Sequence, residues 1–217
     1  MKKKLGLVVG IIIGCMGAAQ ASLIANYTFP SGGVTSSDTE ANSTAGNFSG
    51  TAKVLYSSTS ESAYFKCSDT PNTADFSTYF TFTVTPGSGF GLNLSTLTFD
   101  SICNGTSTTN GNASFFVRSS VDAFASNIGL TFTETYIKSG TSTGTQRSVD
   151  LSGATFQNLA TATEFRIYVY DNIASSVAYD RIDNVVLNGD VSVIPEPATV
   201  GMMGLGALVA MLIRRSV

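Results

Sequence analysis

The 217-residue chain has no histidine and no tryptophan. The absence of histidine removes Ser-His-Asp and Cys-His catalysis, the usual zinc sites and a general-base imidazole. Without tryptophan, any sugar-stacking surface has to be built from tyrosine or phenylalanine. Charge is scarce too: only 12% of residues are Asp, Glu, Lys or Arg. No basic cluster interrupts the chain, which excludes nucleic acid as a partner. No stretch between the two ends shows a sustained helical period, and no EF-hand spacing is present.

The ends carry the strongest signals. Met1-Lys2-Lys3-Lys4 is a basic n-region, Leu5 to Met16 is apolar, and Ala19-Gln20-Ala21 is a small-x-small site. This is the pattern of a Sec-type signal peptide over residues 1–21, cut between Ala21 and Ser22, so the Sec translocon and signal peptidase are expected partners. A competing reading takes Ile12-Ile13-Gly14-Cys15 as a lipobox with Cys15 lipidated.

At the other end, Pro195-Glu196-Pro197 precedes an uncharged run over 198–213, closed by Arg214 and Arg215. Sixteen helical residues rise about 24 Å, against a hydrocarbon core of about 30 Å. Local thinning and arginine snorkelling can cover the deficit. The two arginines keep that end cytoplasmic and leave the bulk of the chain outside. Pro197 bars a helix interior, so the helix starts at or after it.

Proline motif, apolar helix and terminal arginines in this order closely resemble the PEP-CTERM sorting signal, over about 25 residues. The resemblance implies export in a Gram-negative-type bacterium and recognition by exosortase, a membrane-embedded cysteine transpeptidase that cuts at or near the motif. It further implies a link to exopolysaccharide or biofilm, and transient membrane anchoring before processing. The competing reading of the same residues is a permanent single-span anchor after a proline linker.

Between the signals, residues 22–191 read as one domain, followed by a linker and sorting signal over 192–217. Five of the twelve basic residues (Lys2, Lys3, Lys4, Arg214, Arg215) lie in the signals. Seven then face fifteen carboxylates, a net of about −8. The pattern is short alternating runs between turns. Thr78 to Val84 puts Phe80, Phe82 and Val84 on one face, and Glu164 to Tyr170 does the same with Phe165, Ile167 and Val169. Further strands are expected at 23–29, 52–56, 63–67, 94–99, 113–118, 130–136, 147–151 and 182–187. Residues 31–50 read as a long loop, 119–127 as a turn or short helical piece, and Asn188-Gly189-Asp190 as a closing turn. About ten short strands point to an all-β antiparallel sandwich, jelly-roll-like. Tyr179 to Gly189 resembles the last strand of secreted sandwich modules, including lectin-like and carbohydrate-binding jelly rolls.

Candidate sites are few. Cys67 and Cys103 are the thiols that remain after signal removal, and an even count in an oxidising compartment favours one disulfide between them; two buried free thiols is the alternative. Asp180, Asp183 and Asp190 lie in an oxygen-rich segment with Asp171, Asn172, Asn184 and Asn188. They could hold structural calcium, or cap turns without any ion. Arg166, Tyr168 and Tyr170 share one strand face and could stack on a neutral sugar, or form an ordinary outer or second core face. Glu61, Glu134 and Glu164 show no spacing that assembles a glycosidase pair. The leading expectation is a non-enzymatic cell-surface or extracellular-matrix protein associated with exopolysaccharide. A carbohydrate-binding, lectin-like module is the alternative, and a secreted glycan-active enzyme a second one.

The tail reading has a direct consequence. Exosortase processing should leave mature protein whose intact mass lacks Gly201 to Val217; a mass that retains them identifies an ordinary anchor.

Overall fold

Alternation of large apolar and small polar residues decides which side of each strand is buried. The computed structural model describes residues 22–105, 110–136, 144–173 and 175–194. Signal peptide, cleavage residues Ala19 and Ala21, the motif Pro195–Pro197, the apolar run and Arg214–Arg215 lie outside the described residues. Among the described residues no helix is long and apolar enough to cross a membrane.

Twelve strands occur among them: β1 (Ser22–Tyr27), β2 (Ser43–Ala45), β3 (Ser49–Gly50), β4 (Leu55–Ser57), β5 (Ser62–Lys66), β6 (Tyr79–Pro86), β7 (Phe90–Gly105), β8 (Gly111–Ser119), β9 (Ile128–Tyr136), β10 (Thr145–Asp150), β11 (Thr163–Asp171) and β12 (Ala178–Val193). They form two antiparallel sheets. In the first, β10, β7 and β12 lie side by side; β5 and β1 share the far edge of β12, with β4 outside β5. In the second, the order is β9, β8, β11, β6, with β2 and β3 along the free edge of β6. From β5 to β8 the chain changes sheet at every connection, and again from β9 to β12. The result is the all-β, jelly-roll-like sandwich expected from the pattern.

Phe80, Phe82 and Val84 of β6 and Phe165, Ile167 and Val169 of β11 face Leu97 and Phe99 of β7 and Ile182, Val185 and Leu187 of β12, all at most 2% exposed. Each such side chain contributes about 1.5–3 kcal/mol on burial. Rings dominate one end of the core. Tyr27 packs on Phe48 and Phe82 at 5.1 and 5.4 Å, and Phe82 stacks on Phe165 at 5.5 Å. The buried Tyr27 hydroxyl donates to the Gly46 carbonyl at 2.6 Å, so the ring carries no orphaned polar atom.

Two compensating bulges shape the long β7–β12 pair. Asn188 pairs Thr96 and Gly189 pairs Leu94, so Ser95 is extra on β7; Asp183 pairs Asp100 and Val186 pairs Thr98, so β12 carries an extra residue near Asn184. Asn184 takes the left-handed conformation that asparagine tolerates, φ 47°. Each bulge flips the inward phase, from Leu94 to Leu97 and from Ile182 to Val185. The Asn188-Gly189-Asp190 segment is therefore not a closing turn. A Cβ on Gly189 would stand 2.4 Å from the Asn93 carbonyl oxygen, so glycine serves close strand approach there. The strand continues to Val193, and the Ile194 amide donates to the Gly89 carbonyl at 2.8 Å, so residues 192–194 belong to the sheet rather than to a linker. Other differences from the sequence pattern are of length. The 31–50 segment contains β2 and β3, the 94–99 strand is the middle of β7, and the 119–127 piece holds one 3-10 turn at Ser120–Asp122. Pairing with a long partner extends strands past the point where their own alternation fades.

A polar network joins the sheets at one edge. Glu134 of β9 accepts from the Ser101 hydroxyl of β7 at 2.6 Å and pairs with Arg147 of β10, whose Nε donates to Ser101 Oγ at 2.8 Å. Glu134 is 7% exposed and Ser101 fully buried. Removing one partner of a buried pair strands the other charge. Glu134→Ala should therefore lower unfolding free energy by about 3–5 kcal/mol, read from the urea midpoint; a loss below about 1 kcal/mol would mean that the pair is solvated and weak.

Candidate functional site

The outer face of the second sheet concentrates the rings and cations that the sequence made conspicuous. Along β11, Phe165, Ile167 and Val169 point into the core, so Arg166, Tyr168 and Tyr170 point away from it. Register sets Tyr168 between Phe116 of β8 and Tyr79 of β6, and Arg166 opposite Arg118. Tyr168 and Phe116 stack at 5.0 Å and 8°. Phe76, from the segment before β6, stands edge-on over both at 5.8 and 5.9 Å. Tyr168 is consequently only 3% exposed, while Phe76 is 46% exposed. Tyr168 is thus not an open stacking platform: a ring distant in sequence covers it.

The two facing arginines avoid each other by turning onto rings. Arg118 lies 4.2 Å from the Phe76 centroid, with Nε donating to Asn127 Oδ1 at 2.7 Å and Nη1 to the Phe124 carbonyl at 2.8 Å. Arg166 sits between Phe124 at 3.8 Å and Tyr79 at 4.4 Å, its Nε donating to Glu164 Oε1 at 2.7 Å. Phe76 and Phe124 both have φ 61°, a left-handed conformation that is costly for a bulky residue. The face therefore holds strained rings around two cations and one carboxylate.

A second group is buried. Cys67, in the 3-10 turn that follows β5, and Cys103 of β7 place their Sγ atoms 3.7 and 3.6 Å from the same oxygen, Asp180 Oδ1. They are thiols in the structure, not a bridge. Asp171, at the end of β11, accepts the Ile173 amide on Oδ1. Asp171 Oδ2 and Asp180 Oδ2 have no hydrogen-bond partner. Burial, and then the neighbouring Asp180, push the Asp171 carboxyl up to about 9. Burial raises Asp180 as well. The hydrogen bond with Cys103, burial and the two aspartates push the Cys67 thiol upward.

The oxygen-rich segment does not gather as the calcium reading requires. Asp180 points inward, whereas Asp183 and Asp190 lie on the partly exposed outer side of β12. Asp183 and Asp190 are seven residues apart along a strand, about 20 Å, so the three cannot hold one ion. Burial, offset by the Asn184 amide and aided by Asp100 and Glu61, raises Asp183 to about 6. Glu134 is committed to Arg147 and Glu164 to Arg166, and Glu61 lies in the turn before β5.

Sequence reasoning passed over two features. Tyr64, Tyr179 and Arg181 cluster on the outer face of the first sheet, the rings 5.3 Å apart and Arg181 about equally near both. The period-two Tyr179-x-Arg181 was the available signal. A cleft of about 290 Å³ opens beside Val121, Asp122, Asn127, Thr155 and Phe156. Its polar groups are partly spent, since Asp122 accepts from the Ala125 and Ser126 amides.

Residues 193–216 match the family model of the PEP-CTERM protein-sorting motif, so the chain carries that signal. No curated protein matches the chain. Three solved structures share part of the outline. The K3 cleaved adhesin domain of Lys-gingipain from Porphyromonas gingivalis is 13% identical at TM-score 0.31, over 58% of this chain and 72% of that one. TmCBM61, solved with β-1,4-galactotriose, is 12% identical at TM-score 0.31, over 66% of this chain and 88% of that one. The CBM22-1-GH10 modules of xylanase 10B from Clostridium thermocellum are 10% identical at TM-score 0.31, over 79% of this chain and 29% of that one. Likenesses this distant carry no function with them.

The cover over Tyr168 has a measurable cost attached. Tyr168→Ala should lose about 3 kcal/mol of stability, as aromatic-to-alanine changes at buried sites do, and lower Tm accordingly. An unchanged Tm would show that the stack is open to solvent.

Proposed function

We propose that this exported, PEP-CTERM-tagged protein is a non-enzymatic surface or matrix component whose sandwich holds neutral glycan weakly on the outer face of its second sheet. The sorting motif supports export and exosortase recognition. The observation that carries the glycan reading is Phe76. A 46% exposed phenylalanine is held in a left-handed backbone conformation above a ring stack, with Arg118 on its face. An exposed ring held in a costly backbone conformation is the feature that supports a contact here. Phe76, Tyr79 and Tyr170 offer ring surface for sugar C–H groups, and the remaining N–H groups of Arg118 and Arg166 can donate to hydroxyls. The net negative charge of the chain disfavours strongly anionic polysaccharide at low salt, which is why neutral sugar fits better. Of the three glutamates that could supply a glycosidase pair, Glu134 and Glu164 are paired with arginines and Glu61 lies in the turn before β5.

Affinity electrophoresis of the exported protein through neutral polysaccharides, followed by a glycan array, tests this. Retardation by at least one neutral glycan is expected. Measured well below its Tm, Phe76→Ala should weaken it about tenfold, the loss of roughly 1.4 kcal/mol that one stacking contact supplies. No retardation by any glycan, or retardation that survives Phe76→Ala, removes this face as the site.

A further inference from the structure

Four groups able to carry negative charge meet inside the sandwich: the thiols of Cys67 and Cys103 and the carboxyls of Asp171 and Asp180, each at most 2% exposed. They come from the turn after β5, from β7, from the end of β11 and from β12. Among the described residues no lysine or arginine pairs with either aspartate. Each aspartate keeps one oxygen without a donor from any other side chain or amide, and the two carboxyls are left to share a proton with each other. Buried carboxyls left in this state are expensive, and an apolar core would avoid them.

We infer that Cys67, Cys103, Asp171 and Asp180 form a site for a thiophilic divalent cation of the zinc class. Bonds of about 2.3 Å to sulfur and about 2.0 Å to oxygen at tetrahedral angles put S and O about 3.5 Å apart. The two Sγ atoms stand 3.7 and 3.6 Å from Asp180 Oδ1. Ligand atoms of Cys67, Asp171 and Asp180 all lie within 4.8 Å of one another. Three of the four donors thus already converge, and Cys103, 3.6 Å from Asp180 Oδ1, stands beside them as the fourth. The Ile173 amide, donating to Asp171 Oδ1, fixes that carboxyl as an outer-shell partner does. Calcium and magnesium fit poorly, because they require mostly oxygen and two of the four donors are sulfur.

A disulfide between Cys67 and Cys103 explains less. It would remove both S–H donors from Asp180 Oδ1 and leave two buried carboxyls beside a neutral bridge. A cation uses all four groups at once. The ligands reach the site only when the sandwich has closed, so the ion would be a structural one, bound as the chain folds.

The test needs the exported full chain, isolated without chelator. Elemental mass spectrometry should find one zinc per chain. Thiol labelling should find two thiols that react only after unfolding with chelator present. Refolding with Co²⁺ should produce a thiolate-to-cobalt charge-transfer band, and Asp180→Asn should abolish both band and zinc. The cobalt spectrum of the unaltered chain decides the matter if that variant fails to fold. No metal with no titratable thiol, which is a disulfide, overturns the site. So does a chain with two thiols that takes up neither zinc nor cobalt, or cobalt bound without the thiolate band.

Discussion

Pairing of β12 along both edges is the constraint on which the rest of the structure rests. One side runs along β7 from Ala178 to Val193, and the other is shared by β5 and β1. The same strand sends Ile182, Val185 and Leu187 into the core, sets Asp180 against both cysteines, and ends one residue short of the sorting motif's first proline. Its own bulge near Asn184 and the opposing one at Ser95 of β7 keep the pair in register while the buried face of each strand changes phase once. Were β12 to slip by one residue, the apolar set and Asp180 would exchange with the outer residues Arg181 and Asp183, and every buried group would lose its partner. The sandwich, the buried polar centre and the exit of the chain toward its sorting signal therefore depend on one register.

Scarcity of charge shapes the surfaces around this frame. Arg147 and Arg166 pair with glutamates, and all four described arginines also turn to rings. Every arginine among the described residues, Arg118, Arg147, Arg166 and Arg181, lies within 6 Å of an aromatic centroid. Contacts of this kind contribute about 0.5–1 kcal/mol each when partly exposed, more when desolvated. They also hold the guanidinium groups in fixed positions on both outer faces. On the second sheet this fixed layer carries the exposed ring of Phe76.

Much of the fold was legible in the sequence because alternation is a local property. Phe80, Phe82 and Val84, or Phe165, Ile167 and Val169, announce their strands and their inward face without reference to any neighbour. The bulges were not legible. Whether Gly189 marks a turn or a close crossing depends on Asn93, almost a hundred residues away. The sites divide the same way. That Arg166, Tyr168 and Tyr170 share a face follows from period two, but the ring that covers Tyr168 comes from Phe76, which no periodicity connects to it. Cys67 and Cys103 could be proposed as neighbours from their count alone. Asp180 as their common partner emerges only from the pairing of β12 with β5 and β7, and Asp171 beside it only from the packing of the two sheets. The expected calcium ligands failed for the same reason, since the phase change near Asn184 and the length of the strand keep Asp180, Asp183 and Asp190 apart.

Native-state hydrogen exchange tests the central place of β12 most directly. Amides of Arg181, Ile182, Val186 and Leu187, in the stretches of β12 paired on both edges, should exchange only through global unfolding, and the Ile194 amide should share protection with Gly87–Phe90 rather than exchange as free chain does. Exchange of the β12 amides by local opening, at a lower free energy than those of β8 or β11, would contradict the account. It would mean that the sandwich closes without this strand and that neither the buried centre nor the tail exit depends on it.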